Sequence, residues 1–319
     1  MRRTRLMQRQ TSDMAPPEPP TPRAVRVALP GTCGELVQGT LEGEPCLISC
    51  PIDYYSIAEV RFQPWGGWTV PEHAPKTRAA LQAGLAYLGR TASGGYVRLQ
   101  TELPRGRGYG SSTADIGATL YALGQAAGQG LVPSEVARLA VHVEPSDSSL
   151  FPGLALWDHR YGHVYEDLGA PPALTVVVLD PGGVVDTLAF NQLDHRELLR
   201  QLAPRHRAAF TLLREGLQQG NLEAIGAAAT LSARAHQAIL ANPLLEPALS
   251  LARDVRALGV CRAHSGTLLG LLLDPRDADV PAITALAARR FAPAVTVFSR
   301  PLVSGGLRLL TGPQSCPSG

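Results

Sequence analysis

Pro104-Arg-Gly-Arg-Gly-Tyr-Gly-Ser-Ser-Thr-Ala114 is the stretch on which the reading of this chain turns. Gly106, Gly108 and Gly110 let the backbone turn tightly and approach a ligand closely. Tyr96–Leu103, just before it, alternates like a strand, and a helical stretch follows to about Ala127. A glycine turn that opens a helix aims several backbone N–H groups at one point. The helix dipole favours an anion there. Ser111 and Ser112 add hydroxyls suited to a phosphate-bound Mg²⁺. The Gly-Lys-Ser/Thr ending of a Walker A loop is missing. The spacing is not that of a dinucleotide fingerprint either, and no suitable acidic residue follows about 20 positions on. Taken alone, the stretch reads equally as a strand–helix turn capped by serine.

Outward from this loop, strands and helices mix without regular alternation. Ala24–Ala28 reads as a first strand, Pro30–Gly39 as a glycine-rich loop, and Pro45–Val60 as a second strand-like run. Helical spacing appears at Pro75–Leu88 and at Pro133–Val143, the latter with Ser134 as its N-cap. Leu174–Asp180 is a β-branched run typical of a buried strand. Long helices are expected at His195–Gln218, Asn221–Leu240 and Pro247–Leu258. A second glycine-containing loop, Gly259–Gly266, leads into the apolar run Thr267–Leu273. A helix at Val280–Arg290 and strands at Ala294–Phe298 and Gly306–Leu310 close the pattern. This predicts an α+β protein of two lobes, 25–170 and 171–312, joined near 165–175. Residues 1–24, which end in a Pro-rich stretch, and 313–319 are expected to be flexible tails.

Composition bounds the function. The chain has 319 residues, with 45% hydrophobic and 18% charged, enough apolar material for a large core. The net charge of +2 is uneven: residues 1–24 carry +3 and the rest −1. A near-neutral body argues against a nucleic-acid-binding face. Cys33, Cys46, Cys50, Cys261 and Cys316 are odd in number and scattered, which is not a disulfide framework. Cys46 and Cys50 find no second ligand pair for zinc. No apolar run approaches the ~20 residues of a membrane span, and the N-terminus has no signal-peptide apolar region. The expectation is a soluble cytoplasmic protein whose oligomeric state is open. Lys76 is the only lysine.

The full loop resembles the nucleotide-binding signature of the GHMP kinases, Pro-x3-Gly-Leu-Gly-Ser-Ser-Ala-Ala, with Tyr109 for the leucine and Thr113 for the first alanine. Leu29-Pro-Gly-Thr32 is similar to the family's N-terminal segment, with Thr32 where many members have lysine. Gly259–Thr267 is similar, in degenerate form, to the C-terminal glycine motif. Within the family, Pro30–Gly39, Ser49–Asp53, Gly110–Ile116 and Cys261–Gly266 resemble the L-threonine kinase branch. That branch makes O-phospho-L-threonine from ATP for the aminopropanol linker of cobalamin. The resemblance implies a ribosomal S5 domain 2-like N-terminal lobe and a ferredoxin-like C-terminal lobe.

It also implies roles. Pro104, Gly106, Arg107, Gly108, Tyr109, Gly110, Ser111, Ser112 and Thr113 would hold the ATP phosphates, with Arg105 and Arg107 at the rim or solvated. Ser112 and Glu144 would share Mg²⁺. Asp147, three residues after Glu144, would meet the acceptor hydroxyl as the base. The plain alternative makes Asp147 a turn cap and Glu144 a surface charge. On the acceptor side, Glu35 or Asp53 would take an ammonium. Arg262, His264 or Ser265 would meet a carboxylate or the phosphates, with Gln38 and Gly266 beside them. With Thr32 in place of lysine, the phosphates are expected to be met by backbone amides, Mg²⁺ and arginine. The implied partners are ATP and L-threonine, with no nucleic acid and no membrane. Homoserine or another small alcohol is the alternative acceptor, and a silent nucleotide-binding protein the other alternative.

Overall fold

The protein is described from a computed structural model that covers residues 23–64, 66–183 and 196–311. The tail expected over 1–24 lies outside these residues but for its last two positions, and 313–319 lies wholly outside. The first half comprises β1 (Val25–Leu41), β2 (Glu44–Gln63), β3 (Trp68–Thr69), α1 (Pro75–Tyr87), β4 (Gly94–Thr101), α2 (Ser111–Ala126) and α3 (Pro133–Val143). A 3₁₀ turn at Ser148–Leu150 then leads to β5 (Ala155–Asp158) and β6 (Tyr165–Asp167). The second half comprises β7 (Thr175–Asp180), α4 (Arg196–Gln219), α5 (Leu222–His236), α6 (Leu245–Asp254), β8 (Gly259–Arg262), β9 (Leu269–Leu273), α7 (Val280–Phe291), β10 (Thr296–Pro301) and β11 (Arg308–Leu310).

One sheet runs through both halves, in the order β10-β7-β9-β8-β1-β2-β4-β3. Taken alone, β7 to β10 stand as fourth, first, third, second. That is the ferredoxin-like arrangement, with its helices on one face. The halves meet where β1 pairs β8 at Glu35↔Arg262, and β11 returns to pair β1 at Arg26↔Leu310. The main core forms where α2 packs under β1 and β2. Ala, Gly, Leu and Ile make α2 apolar around nearly its whole circumference, so it can only sit inside. A smaller core joins α6 and α7 to β7, β8 and β9.

Three local expectations are corrected. Pro30–Gly39 is not a loop but the middle of β1. Its pairing with β2 shifts register between Pro30 and Thr32, Thr32 and Glu35, and Glu35 and Val37. Bulges absorb the glycines and the proline without breaking the ladder. Likewise, Gly259–Arg262 is strand β8, and only the residues after it form a loop. Ser134 is not the cap of α3: Pro133 occupies the first turn, and Glu135 Oε2 accepts the Val132 N–H at 3.0 Å. The described cysteines, Cys33, Cys46, Cys50 and Cys261, are all buried, and none of them forms a disulfide. No described helix is long and apolar enough to cross a membrane.

Candidate active site

The strand–loop–helix passage from β4 to α2 borders a cavity of about 670 Å³, ringed by residues from both halves of the chain. Gly110 holds φ +63° at the head of α2, and no side chain caps the helix. The serine-capping alternative is therefore not what forms: the first-turn N–H groups stay open, as an anion site requires. Behind the loop, Thr32 N–H donates to Tyr109 O at 2.8 Å and Gly34 N–H to Gly108 O at 3.1 Å. From the other half, Thr267 and Leu268 N–H both donate to Arg107 O, at 3.0 and 3.1 Å. The glycine loop is thus clamped between β1 and the segment after β8.

Side chains complete the clamp. Tyr109 Oη donates to Asp180 Oδ2 at 3.0 Å, and Arg107 Nη1 reaches the same oxygen at 3.0 Å. This gives a reason for tyrosine at position 109: its hydroxyl adds a donor, which leucine lacks, to the buried acid that Arg107 also meets. Arg107 therefore braces the loop from behind and does not border the cavity. Arg105 does border it, held by Asp115 Oδ2 at 3.0 Å and the His73 carbonyl at 2.6 Å.

The carboxylates converge as the spacing of Glu144 and Asp147 suggested. Ser112 Oγ donates to Glu144 Oε1, and Lys76 Nζ pairs with Glu144 Oε2. Asp147 N–H donates to Thr113 Oγ1 at 3.1 Å. A Cβ added to Gly110 would stand 2.5 Å from Asp147 Oδ2. Only glycine lets that carboxylate sit against the helix start. Gly110→Ala is expected to cost about 1–2 kcal/mol through the left-handed backbone. It should also cost about tenfold or more in turnover by moving Asp147. Thermal melts and initial rates read the two effects separately. Burial, and then the nearby Glu144, push the Asp147 carboxyl up to about 6.

On the far wall, Glu35 projects from the bulged part of β1 and is 3% exposed. Its Oε2 has no hydrogen-bond partner. Burial, and then Asp147, push its carboxyl well above its ordinary range, while the Ser49 hydroxyl opposes the shift. His264 and Ser265 also border the cavity. His264 Nδ1 donates to Gln38 Oε1 at 2.6 Å, so Gln38 positions that ring from behind. Arg262 turns away, to Gln237 Oε1 at 2.9 Å and the Leu240 carbonyl at 2.8 Å. Asp53 lies elsewhere, beside Tyr55, whose hydroxyl receives Arg308. Gly266 packs on the Arg107 carbonyl and Pro104 leads into the loop; neither borders the cavity.

Two residues at the cavity carried no signal in the motifs. His159 follows β5 and borders the cavity. Lys76, from the first turn of α1, corrects the expectation of a site without lysine.

The model of the GHMP kinases N terminal domain matches residues 76–151, which span Lys76, the glycine loop, Glu144 and Asp147. The L-threonine kinase of Salmonella typhimurium is 33% identical over 254 residues, 79% of this chain and 83% of that one. This chain is a GHMP kinase. It is thus a phosphotransferase with an alcohol group as acceptor. Its fold is shared with homoserine kinase from Cytophaga hutchinsonii at a TM-score of 0.70 and 18% identity, covering 96% of this kinase and all of the other. MDDEF, solved in complex with MVAPP, AMPPCP and magnesium, also gives 0.70 at 16% identity, covering 91% and 99% of the two chains.

Proposed function

We propose that this kinase transfers the γ-phosphoryl group of ATP to the side-chain hydroxyl of L-threonine, giving O-phospho-L-threonine and ADP. A place in cobalamin biosynthesis, supplying the aminopropanol linker, follows from the same reading. The observation that carries it is one cavity that joins an open helix N-terminus to Asp147 and to a buried Glu35 carboxyl whose Oε2 has no hydrogen-bond partner. The first suits a triphosphate and the second an alcohol proton. The third suits an ammonium, which L-threonine has and mevalonate lacks. The identity to L-threonine kinases supports the same acceptor.

The open N–H groups of α2 hold the phosphates. Ser112 Oγ and the Glu144 carboxylate form an oxygen-only donor pair at the head of the helix, which fits a hard divalent cation such as Mg²⁺. When bound there, Mg²⁺ neutralises charge on the triphosphate. Asp147 orients the threonine hydroxyl and accepts its proton as the new O–P bond forms and the bond to the leaving ADP breaks. Lys76 adds the cation expected beside transferring phosphoryl groups. Lys76→Met is expected to raise KM for ATP about tenfold, the loss of one charge-assisted contact, with a smaller fall in kcat. A KM for ATP unchanged in this variant would remove Lys76 from the site.

ADP release from ATP and Mg²⁺, measured over L-threonine, L-serine, L-homoserine and mevalonate, tests the acceptor. The highest kcat/KM is expected for L-threonine. Turnover of L-homoserine alone would favour the second reading, for which the shared fold with a homoserine kinase speaks. No turnover of any acceptor would favour a silent nucleotide-binding protein. The joint presence of Ser112, Glu144 and Asp147 in one cluster opposes that outcome.

A further inference from the structure

Several buried side chains among the described residues keep a polar atom without a hydrogen-bond partner. Of these, only Glu35 and His159 border the cavity. His159 is 4% exposed, and neither ring nitrogen completes a hydrogen bond, although the ring lies near the Pro45 carbonyl. Leaving such groups unpaired costs about 1–3 kcal/mol each, so a site that keeps two of them is shaped for something that pairs with both.

Sheet register explains how they come together. Glu35 on β1 lies opposite Ser49 on β2, and Leu47, two residues from Ser49 on the same strand face, lies opposite Trp157 on β5. His159 is two residues beyond Trp157, and Leu47 borders the cavity with it. The His159 carbonyl accepts the Ser146 N–H at 3.0 Å, which fixes this corner to the loop that carries Asp147. The His264 ring packs against the His159 ring, with centroids 4.8 Å apart.

We propose that Glu35 and His159 form a clamp for the zwitterionic head of an α-amino acid. In it, Glu35 takes the ammonium and His159 reads the carboxylate. Of the other candidates for the carboxylate, Arg262 is engaged with Gln237 and Leu240 and the Nδ1 of His264 with Gln38, while the Ser265 hydroxyl borders the cavity and can add a second donor beside His159. An imidazole N–H donates a charge-assisted hydrogen bond to a carboxylate, while Leu47 offers an apolar wall to the acceptor's carbon skeleton. The clamp deepens the L-threonine reading by naming what makes the acceptor an amino acid. It applies equally to L-homoserine.

The test compares kcat/KM for L-threonine with that for the amino alcohol in which hydrogen replaces the carboxylate. His159→Leu should lower the value for L-threonine about 30-fold or more through KM, and leave the amino alcohol within about threefold. His159→Gln, which keeps an N–H donor, should recover part of the loss, and KM for ATP should not move. The amino alcohol rate also reports that the variant is folded. Equal losses on both acceptors, or an unchanged ratio between them, would overturn the clamp and leave the L-threonine reading standing. Should the wild type use L-homoserine instead, the same comparison runs on L-homoserine and its decarboxylated analogue, and only the L-threonine reading falls. A wild type that prefers an acceptor without an ammonium would overturn both.

Discussion

Asp147→Asn is expected to lower kcat by two orders of magnitude or more, while KM for ATP stays within about threefold. The substitution keeps the size of the side chain and removes the proposed base. Its backbone N–H still donates to Thr113 Oγ1, and Gly110 still gives the side chain room against the helix start. An aliphatic hydroxyl holds its proton at neutral pH, so the transfer needs an acceptor poised as the new bond forms. Burial and Glu144 raise the Asp147 carboxyl to about 6, which brings its basicity closer to working pH than that of an ordinary aspartate. The sign of the pH dependence follows. Below about 6 the group is protonated in the folded enzyme and cannot accept the proton. Wild-type kcat at saturating acceptor should therefore fall with pH below that point, and the asparagine variant should lose this limb. Initial rates between pH 5 and 8 check both. Near-normal turnover in Asp147→Asn would show that the proton leaves by another route.

The groups that were legible in the sequence are those whose neighbours in the chain are also their neighbours in space. The glycine loop, Ser112, Glu144 and Asp147 sit in two short segments, each fixed by local backbone: a turn opening α2 and a turn following α3. Helix periodicity located α1, α2 and α3 closely for the same reason, since i, i+3 and i+4 spacing is local. Pro30–Gly39 misled because glycine and proline signal loops, whereas pairing with β2 over the length of β1 outweighs local preference. His159 and Lys76 were not legible at all. Each is a single polar residue with no motif around it, and each enters the site only because the sheet or α1 carries it there. Glu35 was legible as a candidate, but not as a buried one whose Oε2 has no hydrogen-bond partner. Its burial depends on β8 arriving beside β1 from more than 200 positions away, through the pairing with Arg262.

That arrival gives Glu35→Gln opposite effects on function and on stability. For the acceptor, the variant leaves an ammonium in a buried corner without its anion. Removing one partner of a buried charge pair costs about 3–5 kcal/mol, so KM for L-threonine should rise 10²-fold or more. For the empty fold, the change is a relief. The carboxyl of Glu35 lies well above its ordinary 4.5 in the folded protein, because burial and Asp147 both oppose its charge. At pH 7 the unfolded chain ionises this group freely while the folded protein resists ionisation, and the difference destabilises the fold. Glutamine has no charge to bury. The variant should therefore melt at a higher temperature than wild type at pH 7. The gap should narrow as pH falls and close below about 4.5, where wild-type Glu35 becomes protonated in both states. Saturating L-threonine should reverse the order, because the ligand stabilises only the protein that binds it. Melting curves with and without L-threonine at pH 4 and 7, together with KM, separate the two effects. A Glu35 that merely braced β1 would give a less stable variant at every pH. The trade of empty-state stability for acceptor affinity is thus the signature of a carboxylate held in reserve for a cation.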